Sequence, residues 1–196
     1  MKTGTAKLYN WATLKASSSK APFWVAILFG LELFLFVPLD AILMFFCLHN
    51  PRRTFLYVFI AATASVFSAL VGYMLGHLLW DFVGSYIVPH LVSESLFNRI
   101  SSQLMQYESG AIFIGAFIPF PLKALSVAAG VFHLALPAYL SAIFSARLLR
   151  FGLIGIAMLI WGDKVKIFLE RHFHRVILIL IAKMAIIFTF FWAAAT

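Results

Sequence analysis

The chain has 196 residues, of which 63% are hydrophobic and only 11% charged, and its formal net charge is +8. A soluble globular domain does not have this composition, so we predict an integral membrane protein with one compact domain and no separate soluble catalytic module. The basic residues lie in short segments between apolar stretches, as the positive-inside rule describes, which argues against nucleic-acid binding.

Residues 1–20 form a basic N-terminal segment that contains lysines and no acid. Leu8, Trp11 and Leu14 recur at helical spacing, which is typical of a short helix at a membrane surface. The apolar stretch that follows is too long and too aromatic for a signal peptide, and no small-residue cleavage site closes it. We therefore predict that this segment is retained and is cytoplasmic.

Five apolar segments follow, and a membrane-spanning helix needs about 20 such residues. They cover residues 21–49, 54–80, 111–136, 137–160 and 176–195. The second, fourth and fifth have no internal proline and are predicted to cross the membrane, the fifth as the C-terminal helix of the region 176–196. The intervening residues 81–110 are predicted to form an outer amphipathic linker, and the basic residues 161–175 a cytoplasmic interfacial segment.

The first and third apolar segments are broken near their centres by prolines: Pro38 in the first, Pro119 and Pro121 in the third. Each half has roughly 15 residues, too few to span a bilayer at 1.5 Å per residue. Broken helix at membrane depth is tolerated only where it is buried in protein or lines a cavity. Segments 21–49 and 111–136 are therefore predicted to be re-entrant hairpins that enter and leave the membrane on the same side.

Loop charges support the hairpin model. Arg52 and Arg53 then lie inside with the N-terminal lysines, whereas a crossing at 21–49 would separate them. The chain would consist of two halves in opposite orientation, each a broken hairpin followed by one spanning helix. The predicted fold is thus an all-α membrane protein with an inverted repeat and an additional C-terminal helix, and matching breaks in two halves point to a central binding site.

Five charged residues fall within the first four apolar segments, where charge is expensive and functional by default. They are Glu32, Asp40, Lys123, Arg147 and Arg150. Arginine offers a planar fork that matches phosphate oxygens, so the three bases are candidates for binding an anionic headgroup. The two acids flank Pro38 and are candidates for proton exchange during transport. The alternative is that acids and bases merely neutralise one another in a structural ion-pair network.

Two glycine pairs lie within the predicted spanning helices. Gly72 and Gly76 are four residues apart, and Gly152 and Gly155 are three apart. Small residues at this spacing let helix backbones approach closely in a membrane, so we predict that these glycines mark helix contacts.

The residues of the second break resemble a known family. The resemblance rests on Phe117-Ile-Pro-Phe-Pro-Leu-Lys-Ala-Leu-Ser-Val-Ala-Ala-Gly-Val-Phe132 and on Arg147-Leu-Leu-Arg-Phe151. They are similar to the DedA family, also called the VTT-domain or SNARE-associated Golgi protein family, and most closely to its YqaA-like branch. The likeness covers about residues 25–160, although Leu39 and Ala116 stand where many members have glycine and arginine.

The resemblance implies a multi-pass protein of the bacterial inner membrane that moves lipids between leaflets. The leading substrates are polyprenyl phosphates such as undecaprenyl phosphate, and phospholipids, with proton coupling. Lys123, Arg147, Arg150, Pro119 and Pro121 would form the substrate site. The acids Glu32 and Asp40 would couple protons, and Pro38 would break the first hairpin.

We therefore predict a flippase or scramblase without enzymatic activity, cofactor or metal. Its partners would be membrane lipids, and a homo-oligomer is left open. Two alternatives remain at this stage. One is a proton-coupled transporter of a small ion or solute, which would need no opening toward lipid. The other is a membrane assembly or scaffold protein whose buried charges are structural.

Overall fold

The computed structural model describes residues 13–35, 39–90, 108–118 and 121–195. Within these ranges the chain is largely helical and has no β-strand, as predicted. The main helices of the described part are α1 (Ala21–Gly30), α2 (Leu39–His49), α3 (Thr54–His90), α4 (Glu108–Phe117), α5 (Leu122–Val131) and α6 (Leu136–Ala195). A short 3-10 helix, Pro51–Arg53, precedes α3.

The first apolar segment is divided into α1 and α2, which have 10 and 11 residues. Pro22 lies in the first turn of α1, where its missing N–H leaves no helical bond unmade. The helix ends at Gly30, well before Pro38. Just after this end, the backbone N–H of Glu32 donates to the carbonyl oxygen of Phe29 at 3.3 Å, a tighter bond between residues three apart. Pro38 itself lies outside the described residues.

The third apolar segment is divided into α4 and α5, each with 10 residues. Pro121 precedes α5 with φ −62° and ψ 113°, the extended conformation that ends one helix and starts the next. Pro119 lies outside the described residues. At 1.5 Å per residue each half is about 15 Å long, half of the roughly 30 Å hydrocarbon core of a bilayer. Both predicted interruptions are therefore present.

Helices α3 and α6 are much longer, with 37 and 60 residues. Two spans of 30 residues, Pro51–Trp80 and Leu136–Val165, are long and apolar enough to cross a membrane. Helix α3 runs ten residues into the predicted outer linker, and α6 continues through residues 161–175 without a break. Residues 81–90 of the linker thus continue α3, and the basic segment continues α6, since residues 163–175 contain no proline or glycine. Their depth relative to the membrane stays a prediction.

Each broken segment packs on both long helices in a reciprocal pattern. Helix α1 packs on α3, the long helix that follows it, and α4 packs on α6 in the same way. The second half-helices cross over, so that α2 packs mainly on α6 and α5 packs on α3. Helices α3 and α6 also contact each other. The two breaks are thereby brought to the middle of the α3 and α6 pair.

The contact between α3 and α5 depends on glycines in both helices. A Cβ added at Gly76 would collide with the carbonyl oxygen of Val127, and one at Gly130 would collide with the carbonyl oxygen of Tyr73. A Cβ at Gly72 would lie 2.6 Å from the Cβ of Ser126. Backbones this close exclude any side chain, so the predicted packing role of Gly72 and Gly76 is confirmed.

The other glycine pair behaves differently at its two positions. A Cβ at Gly155 would lie 2.9 Å from Thr54 Cγ2 and from Val58 Cγ2, so Gly155 packs closely on α3. A Cβ at Gly152 would meet no atom within 4 Å. The packing prediction is confirmed for Gly155 and is wrong for Gly152, which lies on an open face of α6.

The outer faces of the long helices are apolar. Phe55 and Phe67 on α3 are 65% and 62% exposed, and Leu153 and Ile160 on α6 are 52% and 64% exposed. A water-soluble surface rarely carries so many large apolar side chains together. The exposed faces are suited to lipid.

Candidate functional site

Five charged side chains lie where the two breaks meet α6, and we call this set the charged centre: Glu32, Asp40, Lys123, Arg147 and Arg150. Arg147 and Arg150 are three residues apart on α6 and so project from neighbouring positions of the same face. Arg147 is 4% exposed, and Arg150 is partly buried. The acids come from the first broken segment and Lys123 from the second, so the centre joins both halves of the chain.

Glu32 is held at both carboxylate oxygens. Its Oε1 accepts a hydrogen bond from Arg147 Nη2 at 3.1 Å, and its Oε2 accepts one from Ser65 Oγ at 3.0 Å. The guanidinium of Arg147 also lies 5.5 Å from the ring centroid of Phe151, and its Nε is buried without a hydrogen-bond partner among the described residues. A buried carboxylate and guanidinium thus neutralise each other beside α3.

Arg150 connects the two broken segments. Its Nη2 donates to Asp40 Oδ2 at the start of α2, and its Nη1 donates to the carbonyl oxygen of Phe117 at 3.0 Å. Phe117 is the last residue of α4, where helix carbonyls have lost their intrahelical donors. One guanidinium therefore pairs with an acid of the first segment and caps the broken end of the second.

Lys123 donates a hydrogen bond to the backbone at the first break, as Arg150 does at the second. Its Nζ donates to the carbonyl oxygen of Leu35 at 2.9 Å, in the connection between α1 and α2. The backbone N–H of Leu33, in the same connection, donates to Ser68 Oγ at 2.9 Å. Backbone groups freed by the interruption are satisfied by side chains of other helices, as broken helix inside a membrane requires.

The structure therefore brings together the predicted site residues that it describes. Both acids are paired with the predicted arginines, whereas Lys123 hydrogen-bonds to a carbonyl. Pro121 borders α5 two residues before Lys123. Ser65 and Ser68 have no counterpart among the sequence-based predictions. The sequence pattern that could have indicated them is two serines three residues apart, on the same face of α3 as Gly72, and both are buried.

A groove with a volume of about 450 Å³ opens between α4 and α6. Its lining residues are Ser109, Gly110, Phe113, Ile114, Ser141, Ala142 and Ser145. The three serines are exposed, and Ile114 is 60% exposed, so the groove opens on the apolar outer surface. Arg150 is not among the lining residues; it lies five residues beyond Ser145 on α6 and is bonded to the end of α4.

The side chains of the charged centre are chemically suited to bind an anion. It contains two guanidinium groups and one ammonium, with hydroxyls of α3 beside them. Among the residues described here, no group of three or more His, Cys, Asp or Glu side chains is arranged as metal ligands. Two broken segments packed on two long apolar helices, around paired charges, are an arrangement suited to a membrane protein with a polar centre.

The family follows from comparison with known proteins. The family model of the VTT domain matches residues 37–159, and the chain belongs to this family. The resemblance to DedA proteins is thereby confirmed, and the matched range includes Asp40, Lys123, Arg147 and Arg150. Membership indicates a transporter-like role in a membrane.

Two relatives are similar over most of their length. One is an uncharacterized protein of Haemophilus influenzae, 28% identical over 145 residues, which cover 74% of each chain. The other is an uncharacterized protein of Histophilus somni, 28% identical over 148 residues, which cover 75% of this chain and 77% of that protein. No solved structure matches the chain.

Proposed function

We propose that the protein moves an anionic phosphorylated lipid, a polyprenyl phosphate or a phospholipid, between the leaflets of the bacterial inner membrane. The observation that carries this proposal is the placing of Arg147 and Arg150 side by side where two broken helices meet. The proposed activity is transport, as a flippase or scramblase and without covalent chemistry, and protons are the proposed coupling ion.

The proposed architecture is an inverted repeat of two re-entrant hairpins. The reciprocal packing supports it, because α1 and α4 each pack on the long helix that follows, while α2 and α5 each pack on the other one. Half-helices of about 15 Å reach only the middle of a bilayer, so a hairpin returns the chain to the side from which it came. In this arrangement the N-terminus and Arg53 face the cytoplasm.

The proposed headgroup site consists of Arg147, Arg150 and Lys123, with Pro119 and Pro121 shaping the second break. Guanidinium groups bind phosphate oxygens through parallel hydrogen bonds, and these bonds are strong where water is scarce. Glu32 and Asp40 are the proposed proton-exchanging groups. When no anion is bound, these two carboxylates neutralise the charges of Arg147 and Arg150 through the two ion pairs.

The groove between α4 and α6 favours a lipid over a small water-soluble substrate. A solute carrier needs a path open to water and no opening toward lipid. Here the groove opens on an apolar surface and carries the hydroxyls of Ser109, Ser141 and Ser145; Arg150 follows on α6, five residues beyond the last of them. A headgroup could lie among these hydroxyls while its chains remain in the bilayer.

A scaffold function is the second candidate, and one observation favours it. Every acid of the charged centre is paired with an arginine, as a purely structural ion-pair network also requires. In that case neutral replacement of both pairs together, as Glu32→Gln, Asp40→Asn, Arg147→Met and Arg150→Met, would leave function intact, since a buried ion pair can often be replaced as a whole without loss.

The test is a reconstituted transport assay. Purified protein in liposomes should move labelled polyprenyl phosphate or anionic phospholipid across the bilayer faster than protein-free liposomes. The control replaces both ion pairs together, as Glu32→Gln, Asp40→Asn, Arg147→Met and Arg150→Met, with its folding checked by thermal unfolding. Equal transport by this folded variant would remove the arginines from the headgroup site. No movement of either lipid by the wild type would contradict the proposed function and favour the scaffold candidate.

A further inference from the structure

The two ion pairs of the charged centre differ in how firmly they are held. In the pair of Arg147 and Glu32 the side chains are 5% and 15% exposed, and Glu32 is also bonded to Ser65. In the pair of Arg150 and Asp40 they are 15% and 36% exposed. Among the described residues, Arg150 is the one side-chain partner of Asp40. The second pair is therefore the easier one to open.

Arg150 can release Asp40 without losing its position. Its Nη1 is bonded to the carbonyl oxygen of Phe117, while Nη2 points to Asp40. A phosphate that took the place of the carboxylate would meet a guanidinium already fixed in orientation. Arg147 has no such independent anchor in the described hydrogen bonds, since its one hydrogen-bond acceptor is Glu32 itself.

We propose that Asp40 occupies the place of the substrate phosphate at Arg150, and that a bound phosphate displaces it and causes it to take up one proton. This inference rests on the proposed function and names the group that couples proton uptake to lipid binding. Before binding, Arg150 is paired with the carboxylate of Asp40; afterwards it is paired with the phosphate anion, and the carboxyl is neutral. One anion and one proton enter together, so the net charge of the site is unchanged.

The proton is required because displacement leaves the carboxylate of Asp40 without its counter-ion inside an apolar segment, where an unpaired charge is costly. The other charged groups of the centre are already engaged. Glu32 and Arg147 pair with each other, and Lys123 donates to the carbonyl of Leu35. Neutralisation by a proton thus preserves these contacts, whereas pairing the released Asp40 with another base would break one of them.

Proton uptake on binding determines the sign of the pH dependence. If one proton enters with each anion, affinity falls as pH rises, by at most about tenfold per pH unit. Without Asp40 the competitor and the proton acceptor are both lost. Asp40→Asn should therefore bind the anion more tightly than the wild type at high pH, and its affinity should vary little with pH.

The experiment uses the full chain in detergent micelles with dioctanoyl phosphatidylglycerol as the probe. This phosphodiester keeps one negative charge across the neutral range, so any proton taken up goes to the protein. Calorimetric titrations in two buffers of different ionisation enthalpy give the number of protons per bound lipid. We expect about one for the wild type, none for Asp40→Asn, and about one for Ser65→Ala, which removes a hydrogen bond from Glu32 only.

The possible outcomes distinguish failure of this inference from failure of the proposed lipid transport. Binding without proton uptake, or equal uptake by the wild type and Asp40→Asn, would overturn the displacement of Asp40 and leave lipid transport standing. No binding of the probe, together with no lipid movement in the liposome assay, would overturn both. Thermal unfolding of each variant is measured in parallel, and Asp40→Ala provides a second variant without the carboxyl if Asp40→Asn does not fold.

Discussion

Arg147 of α6 donates a hydrogen bond to Glu32 at 3.1 Å, although the two residues are 115 positions apart in the chain. The bond joins the connection after α1 to the long helix of the other half. Ser65 of α3 donates to the same carboxylate. Three separate elements of the fold are thus tied together at one buried carboxylate, which makes this pair a structural element as well as a candidate site.

The first prediction concerns the stability of that pair. Arg147→Ala leaves the carboxylate of Glu32 buried without its cation, and removal of one partner from a buried ion pair costs about 3–5 kcal/mol. Arg150→Ala should cost less, because the side chain of Asp40 is more exposed and less enclosed by the protein than that of Glu32. Thermal unfolding in detergent measures both. The control is Glu32→Gln with Arg147→Met, which should recover part of the loss; equal stability of Arg147→Ala and the wild type would contradict a structural role.

The interruptions of the fold could be predicted from the sequence because proline has a local and nearly obligatory effect on a helix. Pro121 lacks a backbone N–H and restricts the residue before it, so α4 had to end near Phe117. The meeting of acids and arginines could be predicted for a different reason. Unpaired charge is costly within a bilayer, so Glu32 and Asp40 needed cations among the few available.

Other features depend on contacts that no local pattern contains. Helix α1 ends at Gly30 because the following residues turn toward Ser65 and Ser68, which lie more than thirty positions further along the chain. The hydrogen bond from Lys123 to the carbonyl of Leu35 could not be predicted, since a broken helix exposes acceptors whose positions depend on the tertiary structure. The openness around Gly152 likewise depends on where neighbouring helices lie.

The second prediction uses two glycines that occupy the middle of long helices. Gly76→Ala places a methyl group against the carbonyl of Val127, so α3 and α5 must separate, at a cost of about 1–3 kcal/mol. Gly152→Ala meets no atom within 4 Å and should be neutral or stabilise the helix by up to about 1 kcal/mol. Thermal unfolding of the two variants should therefore shift in different directions, and equal shifts would contradict the close contact.

The third prediction tests the proposed topology. Arg52→Cys, in a Cys47→Ala background, should not react with a membrane-impermeant maleimide added to intact cells, because position 52 is predicted to be cytoplasmic. Ser109→Cys is the positive control, since residue 109 is exposed and belongs to the predicted outer face. Reaction of position 52 from outside, with intact membranes, would rule out the first re-entrant hairpin.

The fourth prediction tests the groove between α4 and α6. Ser145→Trp should fill part of its volume and slow lipid movement, while thermal stability remains near that of the wild type because position 145 is exposed. Leu153→Trp adds a similar ring to the same helix outside the groove and should transport normally. If both variants moved lipid at the wild-type rate, the groove would not be part of the path.

The last prediction separates headgroup binding from charge pairing. Arg150 uses two different nitrogens for Asp40 and for the carbonyl of Phe117, and one lysine ammonium cannot reproduce that fork. Arg147→Lys and Arg150→Lys keep the charge but lose parallel bonds to a phosphate. A hydrogen bond to a charged group contributes about 1.5–3 kcal/mol, so lipid movement should fall by roughly ten- to hundredfold while folding and membrane insertion survive.

The measurement is the liposome assay on each lysine variant, with thermal unfolding in parallel to detect any loss of stability. A network that serves only to balance charge needs a cation at each position, so transport would tolerate both replacements; Arg150→Lys would lose the bond to the carbonyl of Phe117, which the thermal unfolding detects. Full transport by Arg147→Lys and Arg150→Lys would therefore remove the arginines from the headgroup site. Lys123, which already lies at the second break, would then be the remaining cation able to hold the phosphate.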